Sequence, residues 1–215
     1  METAGFVGTS CPESLLNAIR KRWDGTSTPR NLALIYVASA GDHKNNRGME
    51  KLAVPGLVSR VIYGWTGSAP GFAAMAREGR LQGWNMPLGV VSHMIRDCAA
   101  RRPGSLSHVG LGTFVDPRQG GGRLSGQTEE LVQLVSVEGQ EKLFYKVRGQ
   151  KAMTRRGTLA SIVGSIFTTL LLLFAFQSPP RIDVALLRGS TADEDGNVTM
   201  DREALLGDVL NQASR

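Results

Sequence analysis

Two short stretches of this chain carry residues whose types and spacing could do chemistry. In VGLGTFVDPRQGGGRL (residues 109–124), Asp116 and Arg118 stand two positions apart among Gly110, Gly112, Gly120, Gly121 and Gly122. A carboxylate and a guanidinium at that spacing can close a loop by a local ion pair, and the glycines let main chain approach a ligand closely. In GFVGTSCPE (residues 5–13), Gly8, Thr9 and Ser10 allow a sharp turn, and a helix opening at Pro12 favours an anion at its amino end. Taken singly, each loop reads as tight turns. Cys11 and Cys98 are too few and too far apart for a disulfide framework or a metal knuckle. His43, His93 and His108 lack metal-ligand spacing.

These loops need elements to hold them. Residues 12–23, PESLLNAIRKRW, put Leu15, Leu16, Ile19 and Trp23 on one helical face, with basic residues at the far end where the helix dipole favours them. NLALIYVASAG (31–41) is an apolar run of the kind found in a parallel strand covered on both faces. GLVSRVIYGW (56–65) mixes helical and strand-like spacing; GFAAMAREGR (71–80) and LGVVSHMIRDCAARRPG (88–104) read as helices, the second closed by Pro103-Gly104. SHVGLGTFVDPRQGGGRL (107–124) reads as a short strand emptying into the glycine loop. ELVQLVSVEGQEKLFYK (130–146) alternates about a bend at Glu138-Gly139-Gln140, a hairpin signal, and RIDVALLRG (181–189) reads as a strand before an acidic turn and a final helix. The rhythm predicts an α/β fold, a mostly parallel sheet flanked by helices, with ligands beyond the carboxyl ends of its strands.

At 215 residues the chain is long enough for one full domain with a core. Its net charge of +6 is spread over separate groups such as Arg20-Lys21-Arg22 and Arg101-Arg102, without interleaved stacking aromatics, so no nucleic-acid partner is expected. No basic region followed by an apolar core opens the sequence, so no secretory signal is expected.

GFVGTSCPE, PRNLAL (29–34), NMPLGVVSHMIRDCAARRPG (85–104), VGLGTFVDPRQGGGRL, LFYK (143–146) and RIDVALLRGSTADEDGNVTMDREAL (181–205) together resemble the family I coenzyme A transferases, especially the single-chain propionate or acetate type. The resemblance implies an enzyme that moves coenzyme A between short-chain carboxylic acids through an acyl-glutamyl anhydride and a glutamyl thioester. Coenzyme A is then a substrate, and no metal or redox cofactor is expected. It implies an acyl-CoA pocket formed by Gly5, Phe6, Gly8, Asn85, Leu88, Gly89, Gly112, Thr113, Phe114, Asp116, Gly121 and Gly122. The family's nucleophilic glutamate lies in a second, similarly folded half, and none of Glu13, Glu50, Glu130 or Glu194 matches its motif, so the expected partner is that second half or subunit. A homo-oligomer in the cytoplasm or mitochondrion is expected of the complete enzyme. Leu88 stands where the family often carries glutamine, Ser10 where a further glycine is usual, and Ala4 in the family's Gly-Gly-Phe turn, so a first strand is expected to be missing.

Residues 1–146 and 178–215 carry the transferase pattern, and residues 147–177 interrupt it. Within the interruption, LASIVGSIFTTLLLLFAF (159–176) is an uncharged run just long enough for a membrane span, with Arg155-Arg156 on its amino side. Excising 147–177 joins LFYK to SPPRIDVALLRG, as the family does, and valine and glutamine codons at its two ends suit splice signals. The interruption is read as a translated intron. The competing reading is a non-catalytic membrane-anchored protein with a degenerate transferase domain; a sugar-phosphate isomerase of similar architecture lacks a visible acid/base set.

Overall fold

The computed structural model describes residues 1–3, 5–42, 47–146 and 182–203. His43, the apolar interruption with its span and splice junctions, Arg155-Arg156 and the expected final helix from residue 204 onward lie outside the described residues. Among the described residues, no helix is long and apolar enough to cross a membrane.

Five parallel strands form the central sheet. They are β1 (Glu2–Thr3), β2 (Leu32–Ala38), β5 (Val58–Trp65), β6 (Gln82–Asn85) and β10 (Ala185–Leu186), in the order β10-β1-β2-β5-β6. Its longest strands are apolar on both faces because both are covered. Leu34, Tyr36, Val61 and Tyr63 face one core, with Leu16, Phe72, Met75 and Ala76 from helices α1 (Glu13–Thr26) and α2 (Pro70–Arg77). Ile35 and Ile62 face the other, with Trp84 of β6 and with Val90, Val91, Met94 and Ile95 of α3 (Leu88–Ala99). Full burial of each such large side chain contributes roughly 1.5–3 kcal/mol. The sequence-based α/β expectation therefore stands.

Beneath α3 lies an antiparallel sheet of β7 (Gly104–Ser107), β9 (Gln140–Lys146) and β8 (Val132–Val137), in that order. The β8-β9 hairpin closes on Glu138 and Gly139, both with positive φ, and Gln140 already belongs to β9. Leu143 and Tyr145 of β9 are buried against α3's core. Two-residue pairs β3 (Gly41–Asp42) with β4 (Arg47–Gly48), and β11 (Thr191–Ala192) with β12 (Val198–Thr199), complete the described strands.

Four local expectations are corrected. Leu15 is exposed while Leu16 is buried and Ile19 and Trp23 pack on the core, because the buried stripe of α1 runs through positions 16, 19 and 23. The same helix continues to Thr26, which leaves no basic residue in its last turn. Residues 58–65 are strand throughout, with no helical start. Of the strand expected over 181–189, Ala185 and Leu186 alone pair in the central sheet among the described residues.

Candidate functional site

Loops gather where the parallel strands end. The β1-α1 loop folds back over the end of β2: Val7 donates its N–H to the Ser39 carbonyl at 3.2 Å, and Gly41 donates its N–H to the Val7 carbonyl. Gly5, at φ +107°, lies against Ala40, whose Cβ is 2.7 Å from where a Gly5 Cβ would stand. The tight corners fall at Val7 and Ser10, each with φ near +51°, so of Gly8, Thr9 and Ser10, to which sequence assigned the turn, Ser10 makes a corner. Gly8 instead sits in open space at an ordinary φ. Ser10 thus adopts the backbone that the family's usual glycine would take easily, and its hydroxyl donates to Glu203 at 3.3 Å. The first turn of α1 carries an acid of its own, Glu13. Its carboxylate accepts from the Gly48 N–H at 2.7 Å and from Lys51. Burial works to raise that carboxyl, but these donors outweigh it and hold it below the usual range.

At the end of β6, the Asn85 amide donates to the Gly64 carbonyl at 2.9 Å, and the Asn85 N–H donates to the Gly122 carbonyl at 2.8 Å. That pair of bonds ties the β5 and β6 ends to the glycine loop. Leu88, the first residue of α3, is exposed, and its Cα and Cδ2 lie 2.8 and 2.9 Å from the place a Cβ on Gly64 would occupy. Gly89 follows with open space around it.

The glycine loop is a closed body built around Asp116, a fully buried carboxylate. It accepts from the Gly112 N–H at 2.9 Å, the Arg118 N–H at 3.0 Å and the Arg118 guanidinium at 3.0 and 2.8 Å. The Arg118 hydrogen bonds and these backbone donors hold its carboxyl well below the usual carboxylate range. Asp116 therefore spends its charge inside the loop. Thr113 donates to the Gly110 carbonyl at 2.7 Å, Tyr145 donates to the Val109 carbonyl at 2.6 Å, and Gly122 donates its N–H to the Phe114 carbonyl at 3.0 Å. Gly121 and Gly122 are buried, while Gly112, Thr113 and Phe114 lie on the loop's outer surface.

Of the expected pocket residues, the structure thus joins Asn85, Leu88 and Gly122 around the ends of β5 and β6, with Gly5 and Phe6 over β2. No direct contact links Gly112 or Thr113 to that group among the described contacts. Both cysteines are buried: burial, with the Glu13 charge beside it, pushes the Cys11 thiol up to about 12, and burial does the same for Cys98. Among the described residues, no group of three or more His, Cys, Asp or Glu side chains is placed to hold a metal.

The family model for coenzyme A transferases matches residues 3–166. This chain belongs to the coenzyme A transferase family. The transferase chain is 34% identical over 208 residues to caffeate CoA-transferase of Acetobacterium woodii, a match over 96% of this chain and 33% of that protein. It is 32% identical over 198 residues to acetate CoA-transferase YdiF of Escherichia coli K12, over 92% and 31% of the two chains. Among solved structures it resembles acyl-CoA transferase YdiF of E. coli O157:H7 in a thioester complex with CoA. That match has a TM-score of 0.78 at 30% identity and covers 99% of this chain and 36% of the other. The apoenzyme of the same protein matches at the same TM-score and 29% identity. The chain spans about a third of the length of these relatives.

Two residues of this transferase chain that sequence reasoning did not select sit at the same rim. Trp65 ends β5 with 38% of its surface exposed, its ring centroid 5.9 Å from that of Phe6. Glu203, with its carboxylate 7% exposed, joins Ser10 of the β1-α1 loop to Arg188, whose Nε donates at 3.0 Å. An aromatic at the carboxyl end of a predicted parallel strand was a usable signal for Trp65; no local pattern marks Glu203.

Proposed function

We propose that this chain is the amino-terminal part of a coenzyme A transferase that exchanges CoA between carboxylic acids and supplies part of the acyl-CoA pocket. The observation that carries the reading is the convergence of Asn85, Gly122, Gly5 and Leu88 at the carboxyl ends of parallel strands, where α/β sheets bind ligands, within a segment matched by the transferase family. Relatives named for acetate and for caffeate support carboxylic acids as the substrate class.

The nucleophile is a glutamate of a second half or subunit. Its carboxylate attacks the thioester carbonyl, CoA leaves as the thiolate, and an acyl-glutamyl anhydride remains. The thiolate then attacks the glutamyl carbonyl, releasing the first acid as its carboxylate and leaving a glutamyl thioester. A second acid reverses the sequence. No redox change occurs and no cofactor is required, and in this scheme the loops of the present chain hold the acyl-CoA while the partner supplies the covalent step. We place the complete enzyme, as a homo-oligomer, in the cytoplasm or mitochondrion.

Mixing the full chain with candidate partner chains that carry the glutamate, and following CoA transfer from acetyl-CoA to a second acid, tests this. Exchange that requires both chains is the expected result. Absence of exchange in every soluble pair overturns it.

A further inference from the structure

Two buried hydrogen-bond donors on neighbouring strands stand together without an acceptor. Arg60 is the third residue of β5, and Trp84 lies on β6 opposite Ile62, two residues beyond Arg60. Side chains two apart share a face of a strand, so Arg60, Ile62 and Trp84 all point to the α3 side of the sheet. There the Arg60 guanidinium lies over the Trp84 ring, its carbon 4.4 Å from the ring centroid. Glu129 takes one end of the guanidinium, with Nη1 donating to its carboxylate at 2.5 Å. The other end, Nη2, is buried with no hydrogen-bond partner among the described residues. So is the indole N–H of Trp84, a side chain with no exposed surface.

A buried donor left unpaired costs its full desolvation, and native structures leave few. Two of them in one stacked pair call for an acceptor that reaches both, and the 4.4 Å between guanidinium and ring is within the span of two hydrogen bonds of about 3 Å each. What surrounds the pair decides the character of that acceptor. Both groups are donors only. The buried side-chain oxygens that lack a partner among the described residues are those of Glu2. The register Glu2–Ile35–Ile62–Trp84 puts them three strand spacings away, roughly 14 Å. A bridging water would have two protons of its own to place. They would compete for the Glu129 carboxylate, which already takes Nη1 and faces the Lys146 ammonium. An anion brings no protons, and the guanidinium supplies the opposite charge.

We propose that Arg60 Nη2 and Trp84 Nε1 form a binding site for one monoatomic anion of the chloride class. The site lies apart from the loops at the strand ends, and it does not depend on the transferase reading. The bound ion ties β5 to β6 beneath Asn85, the last residue of β6, which holds the glycine loop. A ligand of the folded state alone stabilises that state by mass action.

Crystals of the full chain grown in sodium bromide test the site directly. An anomalous peak within hydrogen-bond distance of both nitrogens is the expected result; a water there, or no density, overturns the inference. Urea unfolding of the full chain in sodium chloride and in sodium gluconate, at one ionic strength, supplies a second readout. Chloride at ten times its dissociation constant lowers the unfolding equilibrium constant about elevenfold relative to gluconate. Trp84→Phe keeps a ring under the guanidinium and removes the N–H, and it shrinks that effect several-fold. Equal stability of the wild type in the two salts overturns the inference. An effect undiminished in Trp84→Phe also overturns it, because the ion then binds elsewhere. Where Trp84→Phe does not fold, the bromide crystal decides.

Discussion

Asp116 and Arg118 meet face to face across a two-residue step, Nε to Oδ1 at 3.0 Å and Nη2 to Oδ2 at 2.8 Å, with the carboxylate buried and the guanidinium half exposed. Because the folded carboxyl is held below its usual range, the pair contributes stability that is fully present above the unfolded carboxylate range and is lost progressively as pH falls from there through the lower folded value. Asp116→Asn is therefore expected to melt below wild type at neutral pH, with the gap closing in acid below about pH 4. Thermal melts across that range check this, and a gap that stays constant in acid contradicts the ion-pair account.

Gly122 carries a second load. Its φ is +71°, and a Cβ there would stand 2.6 Å from the Asn85 carbonyl oxygen. Gly122→Ala must both strain the backbone and push the loop from β6, at a cost of roughly 1–3 kcal/mol. Urea unfolding measures it directly; a neutral substitution shows that the loop has room to retreat.

Glu2 is buried in β1 with neither carboxylate oxygen hydrogen-bonded. Burial, partly offset by the amino-terminal charge, pushes its carboxyl up to about 8. The folded state thus keeps a proton that the unfolded chain releases, so stability falls as pH rises from the ordinary carboxylate range to about 8 and levels off above it. Glu2→Val should flatten that decline and stabilise the protein by roughly 1–3 kcal/mol under alkaline conditions, where an unpaired buried carboxylate is removed. Parallel pH-stability curves for the two proteins would show the difference.

Tyr145 joins the antiparallel sheet to the glycine loop through its hydroxyl and the Val109 carbonyl, at 2.6 Å. Tyr145→Phe should cost about 0.5–1.5 kcal/mol. Hydrogen exchange should quicken in residues 109–116 while α3 is unaffected; uniform protection throughout would show that the loop closes without this bond.

How far the sequence made this legible differs by element. The helix at 88–99 was readable because Val91, Met94, Ile95 and Cys98 recur on one face and are buried together. Residues 56–65 misled because a strand covered on both faces has no period, so Leu57, Val61 and Trp65 match a helix as well as a strand. In the site, Asp116 with Arg118 was readable from a two-residue spacing that closes locally. The corner at Val7 was not, since its backbone is imposed by pairing with Ser39, Ala40 and Gly41 at a distance in sequence, whereas Ser10 stood in a stretch already readable as a turn. The same holds for Glu203, which reaches the β1-α1 loop only through tertiary packing.

β1 has only two residues, yet it is the single spacer between β2 and β10 in the described sheet. One of its ladders is satisfied by residues synthesised early and the other by Ala185 and Leu186, made almost the length of the chain later. During translation, Glu2 and Thr3 thus wait with an open edge through most of synthesis, the period in which unpaired strand edges invite misassembly. Closure of the sheet is a late, long-range event, and it should set the pace of refolding.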